Sequence, residues 1–184
     1  MLRLKSKTKK KILLFLLAGV AIGLSRSPRK TGYVLRTLPR ALRDVNREHL
    51  YRCVKEFRNK KLVSYHEDRD GIITLVLSKE GERHAIIYSL ESLSITKPLR
   101  WDKRWRLVIF DIPEKKRTAR DALREKLREL KFYELQHSVW VHPYSCEKEV
   151  EFIIEVFDIR PYVRYLETTQ LTNDAELRLL YKLP

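Results

Sequence analysis

Hydrophobic positions open the chain as a block. Ile12 to Leu24 (ILLFLLAGVAIGL) runs without a charged side chain behind Lys9, Lys10 and Lys11. Its 13 residues are too few to cross a bilayer as a helix, which takes about 20. A buried first helix is predicted, capped by Ser6 or Thr8 and ended before Pro28. The other reading is a secretory signal cleaved at Ala21-Ile22-Gly23. Against it stands the basic stretch Ser25-Arg26-Ser27-Pro28-Arg29-Lys30 directly behind the run.

Residues 29–44 predict one or two short helical turns, interrupted around Gly32 and Pro39. Asn46 is then a good N-cap for a helix to about Asn59, whose apolar positions Leu50, Cys53, Val54 and Phe57 make one stripe at i, i+3, i+4 and i+7. Leu62–His66 and Ile72–Leu77 read as two strands. Glu67-Asp68-Arg69-Asp70-Gly71 joins them, with Asp-Gly supplying a hairpin turn. A helix from Ser78 to about Ser89 follows, weakened by Gly81. Residues 94–103, with Pro98 and a basic cluster, read as a linker between domains at 1–93 and 104–184.

The second half alternates differently. Trp105 to Ile112 is a strand, apolar on both faces except for Arg106 and Asp111, and Pro113 stops it. A helix from about Glu114 to Leu130 buries Ala119, Ala122, Leu123, Leu127 and Leu130. Phe132 to His142 reads as a second strand. Ser145 caps a second helix with Val150, Ile153, Ile154 and Phe157 inside. Tyr162 to Leu171 is one more strand, or two with a bend, and Ala175–Leu183 is a short amphipathic tail. The β-α-β-β-α-β-like order, with one strand boundary open, predicts a ferredoxin-like α+β sandwich.

Charge separates the halves. Of a formal net +15, residues 1–100 hold 23 Lys and Arg against 9 Asp and Glu, and residues 101–184 hold 16 against 15. Such an excess implies a polyanionic partner for the N-terminal half. The helix from Asn46 carries Arg47, Tyr51, Arg52, Lys55 and Arg58 away from its apolar stripe, and Arg69 sits in the hairpin loop. Helix, turn, basic amphipathic helix and hairpin make the layout of a winged helix-turn-helix, in which such a helix enters the major groove of double-stranded DNA. DNA binding of this kind requires no cofactor.

Cys53 and Cys146 form no CxxC pattern and read as reduced thiols in the cytoplasm, with no disulfide-linked partner. His137 and His142, five apart on one expected strand, point to opposite faces and hold no zinc. The arginines Arg117, Arg120, Arg124 and Arg128 are interleaved with Asp121, Glu125 and Glu129, the pattern of a solvated, ion-paired helix face.

The stretch from Trp105 to Ile153 resembles the ferredoxin-like domain of CRISPR-associated (Cas) protein two. The features that match are Phe110-Asp111-Ile112-Pro113 ending the apolar strand, Lys115-Lys116-Arg117 and Arg120 after it, and Gln136-His137-Ser138-Val139-Trp140. With Leu24-Ser25-Arg26-Ser27-Pro28 and Leu77-Ser78-Lys79-Glu80-Gly81, the chain from about residue 8 to 184 is similar to the PaaX-type transcriptional repressors. In these a winged helix-turn-helix precedes a Cas-two-like domain, and a further C-terminal domain usually follows. The resemblance implies a DNA-binding repressor.

It also singles out Asp111, the position proposed in the Cas-two family to bind a divalent metal opposite its counterpart in a homodimer. Mg²⁺ held there could position water for phosphodiester hydrolysis. The same Asp could equally cap the following helix or pair with Arg104 or Arg106. A two-layer sandwich covers one face of its sheet, so the strand's second apolar face predicts a homodimer through residues 104–184. The expected function is a dimeric transcriptional regulator. The alternative is a metal-dependent endonuclease or endoribonuclease, or a CRISPR spacer-adaptation component, fused to a DNA-binding head.

Overall fold

The computed structural model describes residues 7–17, 22–26, 33–37, 46–67 and 73–184, which fall into two compact units, 1–92 and 93–184.

In the first unit, α1 (Lys7–Leu17) is followed by β1 (Ile22–Arg26), β2 (Tyr33–Thr37), α2 (Arg47–Asn59), β3 (Val63–Glu67), β4 (Ile73–Leu77) and α3 (Lys79–Ser92). The Asn46 carboxamide oxygen accepts from the Glu48 N–H at 2.8 Å, which satisfies a donor at the α2 N-terminus. Leu50, Cys53, Val54 and Phe57 are all buried, as their spacing predicts, in one core with Ile12, Leu13, Leu62 and Leu75. β3 and β4 pair antiparallel from Val63↔Leu77 to Glu67↔Ile73. The turn at residues 68–72, with the Asp-Gly pair, lies outside the described residues.

Two expectations for this unit are corrected. The apolar run does not continue as helix to Pro28: α1 ends at Leu17, and Ile22–Arg26 is a strand. Residues 33–37 are likewise a strand and not helical turns, paired antiparallel with β1 and giving the sheet order β2-β1-β4-β3. Gly19 and Gly23 weaken a helix, while Tyr33, Val34 and Thr37 favour extended backbone.

The second unit contains β5 (Trp105–Phe110), a 3₁₀ turn (Glu114–Lys116), α4 (Arg117–Glu129), β6 (Tyr133–Gln136), β7 (Val139–His142), α5 (Glu147–Phe157), a 3₁₀ turn (Arg160–Tyr162), β8 (Val163–Thr168) and α6 (Asp174–Tyr181). Every strand pair is antiparallel in the order β6-β7-β5-β8. A β-α-β-β-α-β chain order on one antiparallel sheet is the ferredoxin-like arrangement. Phe132–His142 is two strands and not one: His137 and Ser138 interrupt the apolar pattern and make the turn between β6 and β7. A single strand, β8, occupies the Tyr162–Leu171 segment. The N-cap of α5 is Cys146 and not Ser145, with no side-chain capping bond.

Val108, Phe110 and Trp140 are buried on one face of the sheet, where Arg124 and Arg128 of α4 lie over the Phe110 and Trp140 rings. The opposite face, expected to await a partner, is covered in part by the chain's own α6. Leu177 packs with Trp105, Leu107 and Val141. The Trp105 indole N–H donates to Asp174 at 2.7 Å, and the Tyr181 hydroxyl donates to the Lys131 carbonyl, also at 2.7 Å. Trp101, placed by pattern in the linker, packs against this same cluster.

Candidate nucleic-acid interface

An α-helix presents to solvent whatever its buried stripe leaves over. On α2 that includes Arg52, Lys55 and Arg58, all exposed. Arg52 and Lys55 form no hydrogen bond or ion pair among the described residues, whereas Arg58 has interactions of its own. One carboxylate of α2 is engaged elsewhere: Glu56 takes Lys60 at 2.6 Å and also Lys9. Hydrogen bonds from those two lysines hold its carboxyl below the usual range. Arg47 and Tyr51 belong to α2 by backbone, but their side chains, like all of Arg69, lie outside the described residues.

The arginines of α4 are in a different state. Arg117 pairs with Glu114 and Asp121, Arg120 with Glu114 at 2.9 Å, Arg124 with Asp121, and Arg128 with Glu134 at 3.2 Å. Arg124 also donates from two nitrogens to the His137 carbonyl at the β6–β7 turn. This stripe holds its own domain together.

Asp111 follows β5 with its side chain exposed, and its N–H donates to the Tyr162 carbonyl at 2.9 Å. The pairings expected for its carboxylate are absent. Arg104 takes Glu167 at 3.2 Å, Arg106 takes Asp102 and Glu167, and the turn before α4 has Pro113 as its N-cap. Among the described residues no three His, Cys, Asp or Glu side chains gather to hold a metal. Mg²⁺ takes six oxygens, waters included, and is held by as few as one or two carboxylates.

Sequence reasoning missed the role of Arg106. Only 3% exposed, it donates to Asp102 through both terminal nitrogens, to Glu167 at 3.2 Å, to the Pro143 carbonyl at 2.8 Å and to the Arg104 carbonyl at 2.9 Å. The hydrogen bonds with Asp102 raise its pKa further and lower that of Asp102. A lone arginine in a strand apolar on both faces was the available signal.

Residues 98–180 match the PaaX protein central Cas2-like domain. That stretch of the second unit is similar to this domain. No curated protein matches the chain. The match begins at Pro98 and reaches Leu180 inside α6, so Trp101 and nearly all of the helix that covers the sheet lie within the matched stretch.

Within the matched stretch, His142 is 3% exposed, and its Nδ1 lies 3.2 Å from the Tyr144 backbone nitrogen. Burial, assisted by Arg106, pushes its pKa down to about 4. His137 sits on the β6–β7 turn, 94% exposed, and the two histidines share no ligand geometry. Cys146 is buried, and its thiol is pushed up to about 12 by that burial. Cys53 of the first unit is also buried and raised for the same reason. Neither cysteine is in a disulfide, and no described helix is long and apolar enough to cross a membrane.

Proposed function

We propose that the chain is a DNA-binding transcriptional regulator, a repressor of PaaX type that acts as a homodimer. In this reading the first unit is a winged helix-turn-helix head, and α2 enters the major groove of duplex DNA beside the β3–β4 hairpin. The observation that carries it is the contrast in cation use: Arg52 and Lys55 of α2 are exposed and unpaired among the described residues, while all four arginines of α4 are ion-paired. Unpaired surface cations neutralise phosphates without first breaking an internal pair. The β1–β2 hairpin widens the wing sheet to four strands, and residues 38–45 just ahead of α2 lie outside the described residues.

The dimer rests on a narrower base than an open sheet face would give. Beyond the α6 cover, Leu166 is 48% exposed, and Ile109 and Val139 are only partly buried on the same face. A second copy laid on this strip would bury it and set two heads on paired half-sites. Light scattering is expected to give twice the 22.1 kDa chain mass; a monomer at micromolar concentration defeats the dimer.

Selection of bound sites from random duplexes, followed by titration of the full chain, tests the head. Arg52→Ala is expected to weaken a selected site by about 1–3 kcal/mol if the side chain reads a base, and to relax sequence preference there. Lys55→Ala, acting on phosphate, lowers affinity for all sequences alike. If both substitutions leave binding unchanged, α2 is not in the groove.

A further inference from the structure

Ahead of β5, residues 97–104 form neither helix nor strand. Their one acidic side chain, Asp102, is fully engaged: Arg106 takes both carboxylate oxygens, and the Arg104 N–H donates to Oδ1 at 3.1 Å. Arg104 is itself paired with Glu167. Trp101 anchors the segment, its indole N–H donating to the Pro143 carbonyl at 2.8 Å and its ring lying 5.0 Å from the Arg178 guanidinium carbon. What is left over is basic. Lys97, Arg100 and Lys103 are exposed, and their side chains make no hydrogen bond, ion pair or ring contact among the described residues. Lys103 has φ 59°, in the left-handed region that a non-glycine residue adopts at a cost, and the turn closed by Asp102 and Arg104 holds it there.

We infer that this anchored segment is a second phosphate-contacting element, which grips duplex DNA through Lys97, Arg100 and Lys103 independently of α2. The inference rests on the DNA-binding reading above. Successive cations are three residues apart, at most about 10 Å of extended chain. The three therefore cover a run of phosphates, which recur about every 3.4 Å of helix axis on each strand. Because the local carboxylate is already committed to Arg106, approach of a polyanion costs no internal ion pair. Pinning by Trp101 and Asp102 presents the cations from a fixed base, so fewer conformations are lost on binding than for a loose tail. Leu99, with nothing over it, is bracketed by two of these cations. That combination also suits an anionic lipid surface, and the test separates the two.

The full chain is titrated with labelled duplex DNA at salt concentrations from about 50 to 200 mM. The variant Lys97→Ala/Arg100→Ala/Lys103→Ala is expected to keep its circular dichroism and flatten the log affinity–log salt slope by about 2.7. Its affinity at the lower salt should fall at least about tenfold. An unchanged slope in that variant, with the unaltered chain binding normally, overturns this inference alone; failure of the unaltered chain to bind DNA overturns the DNA-binding reading with it. Lys103→Gly supplies a control that cannot act by unfolding, since it relieves the left-handed backbone: Tm should rise while the slope falls by about 0.9. A raised Tm with unaltered binding removes Lys103 from the surface and overturns the three-cation assignment. Loss of binding to phosphatidylserine vesicles by the triple variant, with DNA binding intact, overturns the inference in favour of a lipid surface.

Discussion

The backbone carbonyl of Leu62 lies so close to Gly81 that a Cβ on Gly81 would stand 1.9 Å from its oxygen. The same carbonyl accepts from the Ser78 N–H at 3.0 Å. Ser78 in turn donates its hydroxyl to the Lys61 carbonyl at 2.6 Å and accepts from the Gly81 N–H at 3.0 Å. Glycine thus sits in the first turn of α3 because the helix meets the residue just ahead of β3 backbone to backbone. Gly81→Ala is expected to destabilise the first unit by about 3 kcal/mol or more, since both sides of the clash are main chain. Urea melts of the variant check this, and a shift below about 0.5 kcal/mol would contradict the packing.

Arg106 gathers acceptors from four places in the second unit, and its removal takes one donor from each, leaving the Pro143 and Arg104 carbonyls with Trp101 and the Asp102 and Glu167 carboxylates with Arg104. Arg106→Ala is expected to cost about 3 kcal/mol, the low end for a broken buried pair, because water still reaches Asp102 and Glu167. Arg106→Lys should recover little, as an ammonium cannot span acceptors that a planar guanidinium holds together. Equal melting of the Lys variant and the natural chain would show that charge alone suffices.

The second unit should lose stability in mild acid. His142 titrates at about 4 in the fold against an ordinary value of 6.5, so the fold prefers the neutral ring. Above about pH 6.5 folded and unfolded chains are both neutral at this site, and stability there is full. As pH falls from 6.5 towards 4 the unfolded chain takes up the proton first, and about 3 kcal/mol is lost at roughly 1.4 kcal/mol per unit. His142→Leu should remove this slope over that window. The Asp102 carboxyl, held low by Arg106, adds its own loss only at lower pH.

Both thiols should be silent in the native protein. Cys53 and Cys146 are buried and raised in pKa, so the reactive thiolate is scarce near neutral pH. A disulfide reagent such as DTNB is expected to react with neither before unfolding and with both in denaturant. Fast labelling of one thiol in the native state would place it at the surface.

Asp111 should tolerate replacement. It is exposed, and its carboxylate makes no pair among the described residues, so Asp111→Ala is expected to leave stability within about 0.5 kcal/mol. RNA and DNA incubated with the natural chain and Mg²⁺ or Mn²⁺ are expected to stay intact. Cleavage that vanishes in Asp111→Ala would reinstate a nuclease reading.

What could be read from the sequence was what has a period. The α2 stripe, the Asn46 cap, the paired strands β3 and β4 and the inner faces of α4 and α5 all follow from spacing and from side chains acting within a few residues. The run from Ile12 to Leu24 has no period, since every position is apolar, and so gave no sign that the helix stops at Leu17. Trp105 to Ile112 showed an apolar second face, but not that α6, about 70 residues later in the chain, would lie on it. Arg106 was equally opaque, because its acceptors come from Asp102, Pro143 and Glu167 on separate segments. Of the candidate contacts on α2, the pattern identified the exposed cations, whereas the pairing of Glu56 with Lys9 of α1 joins residues far apart in the chain.

The position of α6 also orders events during synthesis. Trp105, Leu107 and Val141 leave the ribosome well before Leu177 and Tyr181 that cover them. Until the last turn of α6 emerges, the nascent second unit carries an apolar sheet face with no helix over it. The first unit, whose elements all precede residue 93, can close while that face is still waiting. Ribosome stalling or premature termination between β8 and α6 would therefore release chains with a folded head and a sticky sheet, the form of this protein most exposed to aggregation and chaperone capture.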